Sequence, residues 1–360
     1  MNDQQSFWQA SWKRLKKNKG AMAGLVMITI AILIALFGYF LAPDPSPFAN
    51  RIILEIGGEK PGYQRPFLLV KKERQPQTGF FERLLYGRPD TYDYLPITSG
   101  QQKQDSLIVQ KFIDEGLSER MAFPKAQVAE NPILIRKFYL GTDKYGRDIL
   151  SRLIIGTRVS LSVGLITVLI SLTVGVTLGA IAGYFRGRAD EAIMWLINVI
   201  WSIPTLLLVF AITLLLGKGF WQVFIAVGLT MWVNVARLVR GQVMAAKELQ
   251  YVEAGKVLGF SHFRIIARHI LPNILGPILV IAASNFASAI VIEAGLSFLG
   301  VGVQPPQPSW GLMIKENYNF IITQNPMLAL APGFAIMLLV LAFNLLGNGL
   351  RDAMNVRGKV

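Results

Sequence analysis

The chain alternates long apolar runs with short polar breaks. Six runs carry no charged residue: Ala21–Ala42, Val159–Phe185, Ala192–Gly217, Gly219–Ala236, Asn273–Ile292 and Met327–Leu350. A helix rising about 1.5 Å per residue needs about 20 residues to cross a hydrocarbon core of about 30 Å, and each run reaches or nearly reaches that length. The pattern predicts an all-α polytopic membrane protein with six transmembrane helices. The fourth run is short, and Arg237 and Arg240 are expected to snorkel to its interface. The first run exceeds the roughly 7–15-residue apolar core of a signal peptide, so it is expected to be an uncleaved anchor.

Between the first two spans, Pro43–Tyr139 holds no spanning run. Here "RIILEI" and "PFLLV" predict strands, and "SLIVQKFIDEGL" predicts a helix capped by Ser106. The expected organisation is a basic amino terminus (1–20), a first span (21–42), an insert (43–139), a core with five spans (140–355) and a tail (356–360). A polar loop at 247–272 interrupts the core.

Composition agrees with the pattern. The chain is 52% hydrophobic and 16% charged, against about 25% charged in soluble domains, and its mean hydropathy is +0.44. A net charge of +14 in a soluble protein would point to nucleic acid. Here it is expected to record basic residues on a cytoplasmic face, with the bilayer as partner and no nucleic acid. Sixteen Lys and Arg flank the spans on one side, in residues 1–20, at Arg186 and Arg188, in 237–272 and in the tail, whereas short loops opposite hold only Lys218 and Lys315. Both termini and the 247–272 loop are therefore expected in the cytoplasm, and the insert outside. Arg136, Lys137, Lys144, Arg147, Arg152 and Arg158 run against this count, but long translocated segments largely escape the rule. With no cysteine, disulfides, thiol catalysis and cysteine-bound metal are excluded. His262 and His269 are the only histidines, and no metal or cofactor is expected.

The stretch "YVEAGKVLGFSHFRIIARHILPN" (Tyr251–Asn273) poses the functional question. Val252, Gly255 and Gly259 recur at i, i+3 and i+7 along one helical face. Glycine costs about 1 kcal/mol against alanine within a helix, so Gly255 is expected to admit a close neighbour rather than to favour the helix. Gly259 suits a left-handed C-cap, and Ser261 suits the N-cap of a second helix whose last turn meets Pro272. The prediction is a short helix across the cytoplasmic mouth, joined by a sharp turn to span five; the alternative is a solvated interfacial loop. Elsewhere, Gly175, Gly179 and Gly183 form a small-residue ladder, expected to pack helices within the bundle or at an interface with another membrane subunit. Glu293 is an intramembrane carboxylate near the outer end of its span; a structural, hydrogen-bonded role is expected over substrate contact. Asn198, Asn234, Asn285 and Asn344 are expected to bond between helices, a polar pathway being the alternative. Trp310, after "QPPQPS", is placed at the outer interface.

At these residues the chain resembles a known family. Glu253-Ala254-Gly255, Gly259 and Leu271-Pro272 resemble the "EAA" coupling loop of ABC-importer permeases, with Gly255 in place of the usual alanine. "LGTDKYGRDILSRLIIGTRVSLSVGL", "EAGLSFLGVGVQPPQPSWG" and "AFNLLGNGLRDAMN" resemble the dipeptide/oligopeptide branch, whereas the insert is longer than usual. The resemblance implies the type I ABC-importer permease fold and the role of the C-type permease subunit. It implies a homologous second permease, two ABC ATPase subunits and an extracytoplasmic substrate-binding protein as partners. Glu253, Ala254, Gly255, Gly259, Leu271 and Pro272 would couple to the ATPase, with Glu253 facing a basic group there. No GxxxxGK[ST] loop occurs in the chain, so ATP hydrolysis is expected of the partners and the chain is not expected to be an enzyme. The same role for another solute, such as a nickel chelate, stays open. A channel or receptor-like protein without ATPases would share the spans but leave the glycine-marked loop unexplained.

Overall fold

A computed structural model of the chain describes residues 7–354 apart from 74–77, 104, 218 and 323–324. In chain order the helices are α1 (Phe7–Lys17), α2 (Lys19–Leu41), α3 (Phe80–Tyr86), α4 (Ile149–Phe185), α5 (Gly187–Trp201), α6 (Thr205–Leu216), α7 (Phe220–Lys247), α8 (Gln250–Val257), α9 (His262–Ile265), α10 (Leu275–Leu299), α11 (Trp310–Asn317) and α12 (Met327–Met354). The strands are β1 (Tyr63–Lys71), β2 (Tyr92–Lys103), β3 (Ser106–Asp114), β4 (Leu117–Pro124) and β5 (Val128–Phe138). The chain forms two compact units. One comprises Met1–Ala31, Ser160–Gln304 and Ile336–Val360; the other comprises Ile32–Val159 and Pro305–Ala335.

Among the described residues, five helices are long and apolar enough to cross a membrane: α2, α4, α7, the helical run His262–Leu299, and α12. The third predicted span is instead a bent pair. α5 and α6 meet at 92° because Pro204 lacks a donor and disfavours the helical conformation at Ile203. The fourth is longer than predicted, since α7 continues through Arg237 and Arg240 to Lys247. These arginines do not simply reach outward. The Arg237 guanidinium lies 3.9 Å from the Trp201 ring centroid, and Arg240 Nη2 donates to Asp190 at 2.6 Å. Local partners let the helix carry both charges.

In the second unit, five antiparallel strands run in the order β4-β3-β2-β1-β5. β4 and β5 lie at opposite ends of that order, yet only the 3-10 turn Lys125–Gln127 joins them, so the sheet curls into a small open barrel. Leu68, Ile97, Leu107, Val109 and Val128 fill one core. Ile53 and Ile56 cover Phe67, Phe112 and Phe138 in a second. The helix expected from Ser106 is therefore a strand and turn. Leu107 and Val109 alternate inward on β3, which pairs with both β2 and β4, and Gly116 closes the hairpin at φ +82°. "PFLLV" is strand, as expected. "RIILEI" is not: its end is a 3-10 turn at Leu54–Ile56, because burying Ile53 and Ile56 while exposing Leu54 needs a spacing of three rather than two.

The basic residues that opposed the charge count are engaged inside this unit. Arg147 donates to Asp143 at 2.6 Å and to Glu316 at 2.7 Å, and Arg152 lies 3.5 Å from Glu316. Arg136 donates to the Pro43 carbonyl. Trp310 is buried rather than interfacial; its Nε1 donates to the Leu153 carbonyl at 3.0 Å, and a Cβ on Gly156 would lie 2.9 Å from its ring.

Candidate functional site

The polar loop folds as helix, turn and helix within the first unit. α8 ends in a complete Schellman turn. The Gly259 amide donates to Lys256 O, and the Phe260 amide to Gly255 O, both at 3.0 Å. This geometry needs a left-handed residue, and Gly259 has φ +76°. Ser261 then accepts from the Arg264 amide at 3.4 Å as the N-cap of α9. Gly255 faces inward rather than toward any partner: it is buried, and a Cβ there would sit 3.4 Å from the Phe260 ring. Its bare Cα thus packs beside the ring that follows its own turn, and a methyl there would meet that ring at ordinary contact distance.

Beyond α9 the chain does not stop at Pro272. A π turn at Ile266–Ile270 and a 3-10 turn at Leu271–Ile274 pass around the proline's missing donor, and α10 follows directly. Val252, Ile265, Ile270 and Ile274 bury against Val235, Val239 and Val243 of α7 and Ala180 and Tyr184 of α4, with Leu271 half-buried beside them. His262 Nδ1 lies 2.9 Å from Tyr184 Oη, and His269 stacks on Phe260 with centroids 5.5 Å apart. Lys247 Nζ donates to Tyr184 O at 2.6 Å. The outer face carries exposed Glu253, Ala254, Lys256 and Pro272. Val257, Leu258 and Phe263 are 88, 70 and 81% exposed there. Three large apolar side chains at the tip of a charged loop were not singled out from sequence, although their polar setting was the signal.

The glycine ladder packs inside the unit. Cβ atoms added at Gly175, Gly179 and Gly183 would lie 2.7, 2.5 and 2.6 Å from the carbonyl oxygens of Trp232, Ala236 and Arg240 on α7. Glu293 is buried and accepts from Ser297 Oγ at 2.6 Å, while Ser297 Oγ accepts from the Val303 amide at 3.1 Å. The carboxylate thus ties the end of α10 to the chain that follows.

A cavity of about 660 Å³ opens among α5, α6, α7, α10 and α12, with Asn234, Asn285, Asn344, Ser284, Ser288 and Thr205 on its wall. Three of the four intramembrane asparagines meet there, and two also bond between helices: Trp201 Nε1 donates to Asn234 Oδ1 at 3.3 Å, and Asn285 Nδ2 to Ser171 Oγ at 3.5 Å. Asn198 is exposed away from it. The hydroxyls were missed, although Ser284 and Ser288 stand one helical turn apart, four residues on in the sequence.

Helices apolar enough to span a membrane, a cavity among them bearing asparagine and serine side chains, and a polar helix–turn–helix fit a membrane transport component. Residues 175–358 match the family described as binding-protein-dependent transport system inner membrane component. Residues 6–55 match the N-terminal TM domain of oligopeptide transport permease C. The chain belongs to the first of these families, the permease subunits of ABC importers. A glutathione transport system permease protein of Pectobacterium atrosepticum is 42% identical over 221 residues, 61% of this chain and 73% of that protein. A dipeptide transport system permease protein of Bacillus subtilis is 32% identical over 350 residues, 97% of this chain and 86% of that one. One from Alkalihalophilus pseudofirmus is 33% identical over 352 residues, 98% and 90% of the two chains. Both longer matches run across the insert.

Proposed function

We propose that the chain carries dipeptides or oligopeptides through the membrane, and that α8 with the Gly259 turn receives the closing motion of an ABC ATPase. The exposed apolar tip carries this reading. Val257 and Leu258 stand exposed at the end of α8, whose opposite face is anchored by Val252 and Gly255, and Phe263 stands exposed across the turn on α9, together a surface built to enter a groove. Glu253 beside it suits a basic group on the ATPase. The Asn- and Ser-lined cavity offers donors and acceptors that match peptide amides, and forms part of the translocation wall. A homologous second permease, two ATPases that hydrolyse ATP, and an extracytoplasmic binding protein complete the importer. In the membrane, Phe263→Asp reduces ATPase copurification and labelled-dipeptide uptake at least about tenfold, on the scale of losing one buried aromatic anchor, while membrane abundance stays normal. Unchanged copurification removes the coupling assignment.

Both termini and α8 face the cytoplasm in this reading, supported by the Lys and Arg count. With no native cysteine, orientation reduces to two labels. In intact spheroplasts an impermeant maleimide reacts with Ser99→Cys on β2, and with Lys256→Cys only after lysis. The opposite pattern inverts the topology and places α8 where no ATPase reaches.

A further inference from the structure

Within the second unit, α3 presents an apolar surface that the barrel does not cover. Phe80, Phe81, Leu85 and Tyr86 are 63, 75, 53 and 66% exposed, four large apolar side chains on a seven-residue helix. The helix is firmly held from behind. Arg158 Nη1 donates to the Leu84 and Leu85 carbonyls at 3.2 and 3.0 Å. The Arg88 amide donates to Pro45 O at 2.8 Å. Gly87, at φ +82°, packs so closely that a Cβ would lie 2.6 Å from Pro45 O and 2.8 Å from the Tyr39 ring. This display is therefore fixed.

What covers it follows from its neighbour. Phe80 lies 5.6 Å, centroid to centroid, from Phe40 in the last turn of α2, and the Arg83 guanidinium lies 4.6 Å from the same ring. α2 is a spanning helix with only 17% of its apolar window buried. Its exposed Phe37, Phe40 and Leu41 run directly into the exposed side chains of α3. The apolar face thus continues the lipid-facing side of a span at the level where the span ends. Aromatic rings with neighbouring arginines (here Arg83 and exposed Arg88) fit the boundary between acyl chains and phosphate headgroups.

We propose that α3 is an interfacial anchor that inserts Phe80, Phe81, Leu85 and Tyr86 into the leaflet at the carboxyl end of α2, fixing the barrel to the membrane surface. The occupant is phospholipid, and the inference holds whichever side the barrel faces. The test is a nitroxide on Phe81→Cys in the full-length chain with its partner subunits, in nanodiscs of phosphatidylethanolamine and phosphatidylglycerol. At the roughly 5–10 Å depth of such helices, collisions with oxygen should exceed those with a neutral nickel chelate by about threefold. The same label on Ser99→Cys should favour the chelate. Tyr86→Cys repeats the measurement one turn away. Preference for the chelate at both α3 positions shows a surface in water and overturns the proposal. Suppressed collisions with both probes show a covering protein, such as the second permease, and overturn it equally.

Discussion

Gly259→Pro abolishes uptake while the protein still inserts into the membrane. Proline fixes φ near about −65°, whereas this position sits at +76°, and it removes the amide that donates to Lys256 O at 3.0 Å. The turn cannot form, so α8 leaves the direction set by Val252 and Gly255. A graded series separates geometry from bulk. Nothing lies within 4 Å of a Cβ at this position, so Gly259→Ala suffers only the left-handed backbone cost of about 1–2 kcal/mol. Gly259→Asn suffers less, because asparagine tolerates that region. Gly255→Ala, inside α8 just before the turn, keeps uptake: its Cβ meets the Phe260 ring at an ordinary 3.4 Å, and helix propensity gains up to about 1 kcal/mol. Uptake normalised to membrane abundance should fall in the order asparagine, alanine, proline. Near-wild-type transport by the proline variant would remove the turn from the mechanism.

Gly179→Leu has the second large effect, and it acts on folding before transport. The added Cβ would lie 2.5 Å from Ala236 O and 2.9 Å from Val239 Cβ, contacts that only separation of α4 and α7 relieves. Overpacking of this kind costs about 1–3 kcal/mol or more, and here it pries apart the two helices that hold the α8 turn through Tyr184, Val239 and Val243. Membrane abundance should drop several-fold and the remaining protein should lose uptake. Gly241→Leu is the matched control: it lies on the same α7, yet nothing stands within 4 Å of its Cβ. Equal behaviour of the two variants would contradict the packing.

How legible the fold was depended on how local each signal is. Gly259 and Ser261 announced themselves because a left-handed cap and an N-cap are decided by single residues. Gly175, Gly179 and Gly183 are readable as a packing face, but only the tertiary fold assigns that face to α7 of the same chain. The hairpin at 106–124 was misread because Ile108, Val109 and Ile113 suit either period, and strand pairing with β2, set by residues distant in sequence, decided it. Pro204 stood in plain view inside an apolar run, and its 92° break depends on how α6 then packs against α7. The cavity was legible only as scattered asparagines. Helices far apart in sequence bring them together.

The helical run His262–Leu299 has a mechanical consequence. Ser284, on the cavity wall, stands 22 residues beyond His262, about 33 Å along the axis at 1.5 Å per residue. Because the π and 3-10 turns keep the rod unbroken at Pro272, a tilt of about 5° pivoting at the Gly259 turn sweeps that serine sideways by about 3 Å. That is about the width of one water molecule. A small angular input at one end would thus move the cavity wall at the other, with no helix required to melt.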